Sequence, residues 1–205
     1  KYDTNTNTWN QRGADIDGEA VGDQSGYSVS LSTDGTIVAI GANYNTGVNG
    51  TYSGHVRVYK YDTNTNTWNQ RGGDIDGEAA NDYSGTSVSL SADGTIVAIG
   101  ANRNDGNGNN AGRVRVYKYD TNSNSWSQLG GYIDGKAAND LSGSSLNLSA
   151  DGTIVAIGAP KNSGGGGSTS TRGHVRVYKY DATKTVAQTN QSLANFGPIG
   201  WNRLG

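Results

Sequence analysis

The sequence contains no cysteine and no methionine, and only two prolines, two histidines and one phenylalanine among its 205 residues. The absence of cysteine excludes a disulfide framework, a thiolate-ligated zinc site, a cysteine nucleophile and thiol redox chemistry. Without methionine, the chain is expected to be a processed product or a segment of something longer. Long apolar runs are missing too. The longest, such as Thr36 to Ala42, fall far short of the roughly 20 residues a membrane helix needs, and no charged-then-apolar signal segment opens the chain. Charge is scarce and balanced, with 16 Lys plus Arg against 18 Asp plus Glu, so a basic footprint for nucleic acid is absent.

What is present is glycine, 32 residues in a chain that is only 33% hydrophobic. Polarity without high net charge, together with recurrent Val, Ile and Tyr runs, favours a folded β protein over a disordered chain. Those runs belong to an internal repeat, which decides architecture more than any single motif. Lys1 to Gly13 recurs letter for letter as Lys60 to Gly72 and returns edited as Lys118 to Gly130, with Trp9, Trp68 and Trp126 spaced by 59 and 58. Three further blocks keep step. Gly26–Ser32 matches Gly85–Ser91 and Gly143–Ser149; Asp34–Ala42 matches Asp93–Ala101 and Asp151–Ala159; His55–Asp62 matches Arg113–Asp120 and His174–Asp181.

Each block reads as a strand. Val29 and Leu31 alternate with serines, and Val56 and Val58 alternate with Arg57 and Tyr59, while the Asp34-Gly35 step is a tight-hairpin signal. Thr36 to Ala42 is apolar on both faces, as in a strand covered from both sides. The small serine face of the first strand lets another backbone approach closely. Four antiparallel strands per unit of nearly 60 residues define a propeller-like blade. The expected fold class is therefore all-β, with three complete four-stranded blades and an orphan N-terminal strand. The divisions are residues 1–13 (orphan edge strand), 14–72, 73–130 and 131–205, with an insertion at 182–200 before a last strand led by Trp201.

The motifs Gly-x-Ser-Val-x-Leu-Ser, Ile157-Gly-Ala-Pro160 and Gly-His-Val-Arg-Val-Tyr (Gly54 to Tyr59, Gly173 to Tyr178) resemble the FG-GAP repeats of integrin alpha-subunit propellers and their extracellular relatives, over roughly residues 9 to 181. Ser25, Ser84 and Ser142 stand where that family has Phe before Gly, and Asn43 and Asn102 replace Pro in the first two units. The resemblance implies an extracellular β-propeller. The family's calcium loop before the second strand reads Ser-Thr-Asp34-Gly here, so that site is not carried over.

Candidate chemistry is sparse. His55 and His174 share a repeat position with Arg113, and a catalytic base is not expected to be repeated and then replaced. No Gly-x-Ser-x-Gly elbow, phosphate loop or His-Glu-x-x-His motif occurs, and the Gly164 to Gly167 tract is not followed by a helix that would make a dinucleotide site. The chain is expected to have no enzymatic activity. Asp15, Asp17 and Glu19, and again Asp74, Asp76 and Glu78, place three carboxylates within five residues, a density that would supply oxygens to calcium. In the third unit Tyr132 and Lys136 replace two of them, and the persistent Asp23, Asp82 and Asp140 read as turn caps. Arg57, Arg115 and Arg176 are expected to stitch blades together by pairing with a recurrent Asp. The variable loop between the second and third strands is the place for recognition. It carries the glycan acceptor pattern at Asn49, and the insertion carries another at Asn190, whereas Asn147 falls in a strand.

An unpaired strand edge is a template for another chain. The leading expectation is an extracellular structural protein, a protomer of a glycan-decorated surface filament that binds copies of itself head to tail by strand pairing at its ends, with Trp9 and Trp201 at the contacts. The alternative is an adhesin-like binding module that holds a protein or glycan through its loops, with calcium as its ion. Neither reading involves nucleic acid or a membrane span.

Overall fold

The computed structural model describes residues 1–164, 171–184 and 200–204. Every regular element among them is a strand. The chain begins with a two-stranded hairpin, β1 (Tyr2–Asp3) and β2 (Thr8–Trp9), paired Tyr2 to Trp9 and Asp3 to Thr8. It corresponds in the repeat to the tip of a third-to-fourth-strand hairpin, so the leading segment folds as a hairpin rather than as one strand.

The first blade is an antiparallel sheet of β3 (Ser28–Leu31), β4 (Ile37–Ala42), β5 (His55–Asp62) and β6 (Thr67–Gln70), in that order. Beyond β6 the chain breaks step and returns to the same edge as β7 (Ile75–Asp76), where His55 faces Asp76 and Val56 faces Ile75. The second blade repeats this with β8 (Ser84–Leu90), β9 (Ile96–Ala101), β10 (Arg113–Asp120), β11 (Ser125–Gln128) and β12 (Ile133–Asp134). The third is β13 (Ser145–Leu148), β14 (Ile154–Ala159), β15 (His174–Tyr180) and β16 (Trp201–Leu204). None of the sheets closes into a barrel, and their succession is propeller-like, as the repeat predicts.

Local chemistry explains the turns. Gly35, Gly94 and Gly152 take positive φ of 65°, 66° and 73° at the Asp-Gly steps, a conformation glycine adopts without steric cost. Asp34 accepts hydrogen bonds from Ser32 Oγ at 2.7 Å and from the Thr36 N–H at 2.9 Å. These bonds, led by the one from Ser32, pull the Asp34 carboxyl down to about 2. Asp151 is held at about 2 in the same way by Ser149 and Thr153.

The core lies between the sheets. One cluster joins Ala39, Val56 and Val58 of the first blade to Val88, Leu90, Val97 and Ile99 of the second. The other joins Ala98, Val114 and Val116 of the second to Leu148, Val155 and Ile157 of the third, with Trp201. All six residues of β4 are buried, as a strand apolar on both faces requires.

Candidate functional site

The recurrent feature of the molecule is the seam between blades, and its contacts repeat by position. Gly41 lies so close to the next sheet that a β-carbon on it would stand 2.2 Å from the Gly85 carbonyl oxygen, and Gly100 meets the Gly143 carbonyl oxygen at the same distance. Ser28 Oγ donates to the Gly85 carbonyl and Ser87 Oγ to the Gly143 carbonyl, both at 2.7 Å. Ser30 and Ser89 accept from the Leu90 and Leu148 N–H groups, both at 3.0 Å. Small serines on the first strand thus allow the close approach expected from the sequence.

At the outer rim each tryptophan binds the preceding unit. The indole N–H of Trp68 donates to the Arg12 carbonyl at 2.8 Å, that of Trp126 to the Arg71 carbonyl at 2.7 Å, and that of Trp201 to the Leu129 carbonyl at 3.2 Å. The acceptor is always the third residue after the previous tryptophan. Arg12 and Arg71 lie over the Tyr61 and Tyr119 rings, 4.7 and 3.9 Å from their centroids.

Near the other end of the strands, Arg115 and Arg176 are the buried staples. Arg115 Nη2 donates to the Asp76 carbonyl at 2.7 Å and to Ser84 Oγ at 3.2 Å, and Arg176 Nη2 to the Asp134 carbonyl at 2.6 Å and Ser142 Oγ at 3.2 Å. They stitch blades through main-chain oxygen and serine rather than through a carboxylate. Sequence pattern finds the arginines but not these acceptors, because a carbonyl carries no residue signature.

Arg57, at the same repeat position, behaves differently. Its Nε and Nη2 bind the two oxygens of Asp74 at 2.8 and 2.9 Å, and its guanidinium also pairs with Glu19. Burial pushes Asp74 upward, but the bonds from Arg57 and Gln70 outweigh it and hold the carboxyl below its ordinary range. His55 stands 3.8 Å from Glu19 and 3.9 Å from Asp74; burial pushes its imidazole below the ordinary value. Glu19, His55 and Asp74 have the spacing of a metal triad, yet the Arg57 guanidinium already pairs with both carboxylates.

The remaining candidates fall elsewhere. Asp15 is exposed and accepts from Gln11 at 2.8 Å, Asp17 is exposed, and Glu78 pairs with Arg113 at 2.8 Å. Asp76 sits on β7. Six acids that look alike in sequence therefore do not converge on one site. Asn49 is exposed, but its amide donates to the Gly77 carbonyl at 2.7 Å; Asn147 is in β13, and Asn190 lies outside the described residues. Trp201 is wholly buried in the seam between the second and third blades, whereas Trp9 is 81% exposed.

The two terminal faces expose what the seams bury. On β3, Val29 and Leu31 are 63% and 60% exposed, while their counterparts Val88 and Leu90 on β8 are 8% and 6%. On the opposite side of the molecule Val175 is 68% exposed, although its counterparts Val56 and Val114 are fully buried. One face presents the knobs of a seam and the other its receiving surface.

Tandem blades packed through such seams define an all-β, propeller-like repeat protein. Within it, residues 75–117 match the FG-GAP repeat family, and the likeness read from the motifs holds over that segment. No curated protein matches the sequence. Similar solved structures include a candidate 6-phosphogluconolactonase of Bacteroides fragilis (12% identity, TM-score 0.49, 86% of this chain and 41% of that one). Saccharomyces cerevisiae Sqt1 (12%, 0.48, 78% and 32%) and the periplasmic gluconolactonase of Pseudomonas aeruginosa (15%, 0.46, 84% and 41%) are others. The chain spans between 32% and 41% of the length of these proteins. Two of the three carry lactonase names, and this corrects the expectation that the chain has no enzymatic activity. Missing motifs exclude only the chemistries those motifs serve, and a blade scaffold hosts catalysis in some proteins and binding in others. At this level of likeness no lactonase activity passes to this chain.

Proposed function

We propose that the protein is a structural assembly module that joins copies of itself head to tail, the β3 face of one copy seating on the β15 face of the next. The observation that carries this reading is the matched pair of end faces: Val29 and Leu31 on one side and Val175 on the other are exposed only where no neighbouring blade lies against them. The internal seams supply the template. By their rule, Ser145 Oγ of one copy reaches the neighbour's Gly26 carbonyl, and the Leu204 carbonyl comes to the neighbour's Trp68 indole N–H, displacing the Arg12 carbonyl and the leading hairpin that carries it. Such a contact is heterologous, so it builds a ring or an open fibre according to the rotation per copy. An extracellular surface is the setting that the FG-GAP likeness favours.

Electron microscopy of the 205-residue chain, with light scattering after size exclusion, tests this reading. Ordered fibres or rings that disappear in a Val29→Asp/Leu31→Asp double variant are the expected result. A wild-type chain that stays monomeric at high micromolar concentration overturns it.

A further inference from the structure

In three successive units the second strand is followed by Asn-x-Gly: Asn45-Thr-Gly47, Asn104-Asp-Gly106 and Asn162-Ser-Gly164. Each asparagine is buried and its amide donates to a buried aspartate, Asp23, Asp82 or Asp140, at 3.0, 2.8 and 2.9 Å. The amide oxygens differ. Asn104 Oδ1 and Asn162 Oδ1 each accept from the glycine N–H two residues on, at 2.9 Å. Asn45 Oδ1 has no partner, and neither does the nearby Ser53 Oγ, although Asn45 is 5% exposed and Ser53 is fully buried. Leaving two buried acceptors unmet is costly.

Both oxygens lie beside one place. The position that a β-carbon on Gly47 would take lies 3.1 Å from Asn45 Oδ1, 3.7 Å from Ser53 Oγ and 3.7 Å from Asp76 Oδ1. The second blade shows what belongs there. At the equivalent position beside Gly106, Arg113 Nη2 lies 1.9 Å away and Asn104 Oδ1 lies 2.9 Å away. Arg113 Nε also binds Asp134 Oδ1, the counterpart of Asp76, at 2.6 Å. A guanidinium thus fills the cradle of the second blade. In the first blade the residue at the Arg113 position is His55, whose ring is directed at Glu19 and Asp74 instead. Ser53 replaces Ala111, adding an oxygen where the second blade has a methyl group.

We propose that the cradle formed by Asn45 Oδ1, Ser53 Oγ and Asp76 Oδ1 beside Gly47 is a cation site that takes calcium, the ion standing where Arg113 stands in the next blade. An amide carbonyl, a hydroxyl and a carboxylate are all hard oxygen donors, and calcium accepts them in irregular geometry with water completing the shell. Magnesium demands an octahedral shell and gives up water reluctantly, so it competes poorly. With a single carboxylate the affinity belongs to the weak class of extracellular modules, with Kd of about 0.1–1 mM. Arg115 is no obstacle. It binds the main-chain oxygen of Asp76 as Arg176 binds that of Asp134, and the Asp134 carboxylate still accommodates the Arg113 guanidinium. Among the six acids singled out in the sequence, only Asp76 takes part.

The test is calorimetric titration of the whole chain with calcium chloride, alongside thermal melts in calcium, magnesium and chelator. One saturable site per chain and a rise in Tm of roughly 3–6 °C at a tenfold excess over Kd are expected, with little response to magnesium. Asp76→Asn abolishes both signals. A His55→Arg/Ser53→Ala variant copies the second blade, in which the arginine is known to pack, so it folds and has lost the calcium response. Absence of heat and of any Tm shift in the wild type shows that the cradle holds water only and overturns the proposal. Binding that survives in the His55→Arg/Ser53→Ala chain places the ion elsewhere and also overturns it.

Discussion

The leading face of the first blade and the same face of the second carry almost the same residues in different surroundings. Val29 and Leu31 stand in solvent; Val88 and Leu90, 59 positions later, are sealed against Ala39, Val56 and Val58. Repetition therefore specifies the surface, and position in the array decides whether that surface is core or interface. An apolar end face is retained where an isolated molecule would gain solubility from a charge, which is why the pair of end faces, rather than any cleft, carries the functional reading.

One charge placed on each face separates the two most strongly. Val88→Asp buries a carboxylate without a partner in the seam and costs more than ~3 kcal/mol, enough to lose cooperative unfolding in urea. Val29→Asp costs a single copy less than about 0.5 kcal/mol but blocks assembly in light scattering. Equal destabilisation by both would show that the β3 face is not an open surface.

The two terminal tryptophans differ next. Trp201→Ala empties a fully buried site and lowers stability by about 3–5 kcal/mol. Trp9→Ala, at a site that is 81% exposed, leaves the melting transition of one copy in place. A smaller contrast is expected between the arginines. Arg115→Met leaves the Asp76 carbonyl and Ser84 hydroxyl unpaired beneath packed strands and costs about 2–3 kcal/mol. Arg57→Met removes a pair whose Glu19 side chain is 44% exposed and costs about 1 kcal/mol. Both are read from denaturant midpoints.

The pH dependence is the mildest effect. Burial holds the His55 imidazole below 6.5, so on acidification the unfolded chain takes up a proton there before the folded one does, and stability falls as pH drops below about 6.5. Asp34 and Asp151, held at about 2, stabilise the fold fully above 3.8 and lose that contribution as pH falls toward 2. Urea midpoints at pH 7.5, 5.5 and 3 give the profile, and His55→Gln flattens its upper part.

Much of this was legible in the repeat. Alternation placed β3 and β5, the two-sided apolar run placed β4, and the Asp-Gly steps placed the hairpins, because each rests on neighbours a few residues apart. The six acids were not separable by inspection. Glu19 and Asp74 share Arg57, Glu78 takes Arg113, and Asp76 faces Asn45 and Ser53. These partners come from segments tens of residues away.

Period and turn chemistry are local properties of the chain, so the repeat alone set the number and order of the blades and their four main strands, though not β7 and β12, which return to an edge already in use. Only the tertiary structure decided which copies of the repeated residues are core and which are open, and which acids already hold a cation. Burial and charge pairing depend on what a neighbouring sheet brings within a few ångströms, and identical repeats cannot encode that difference locally.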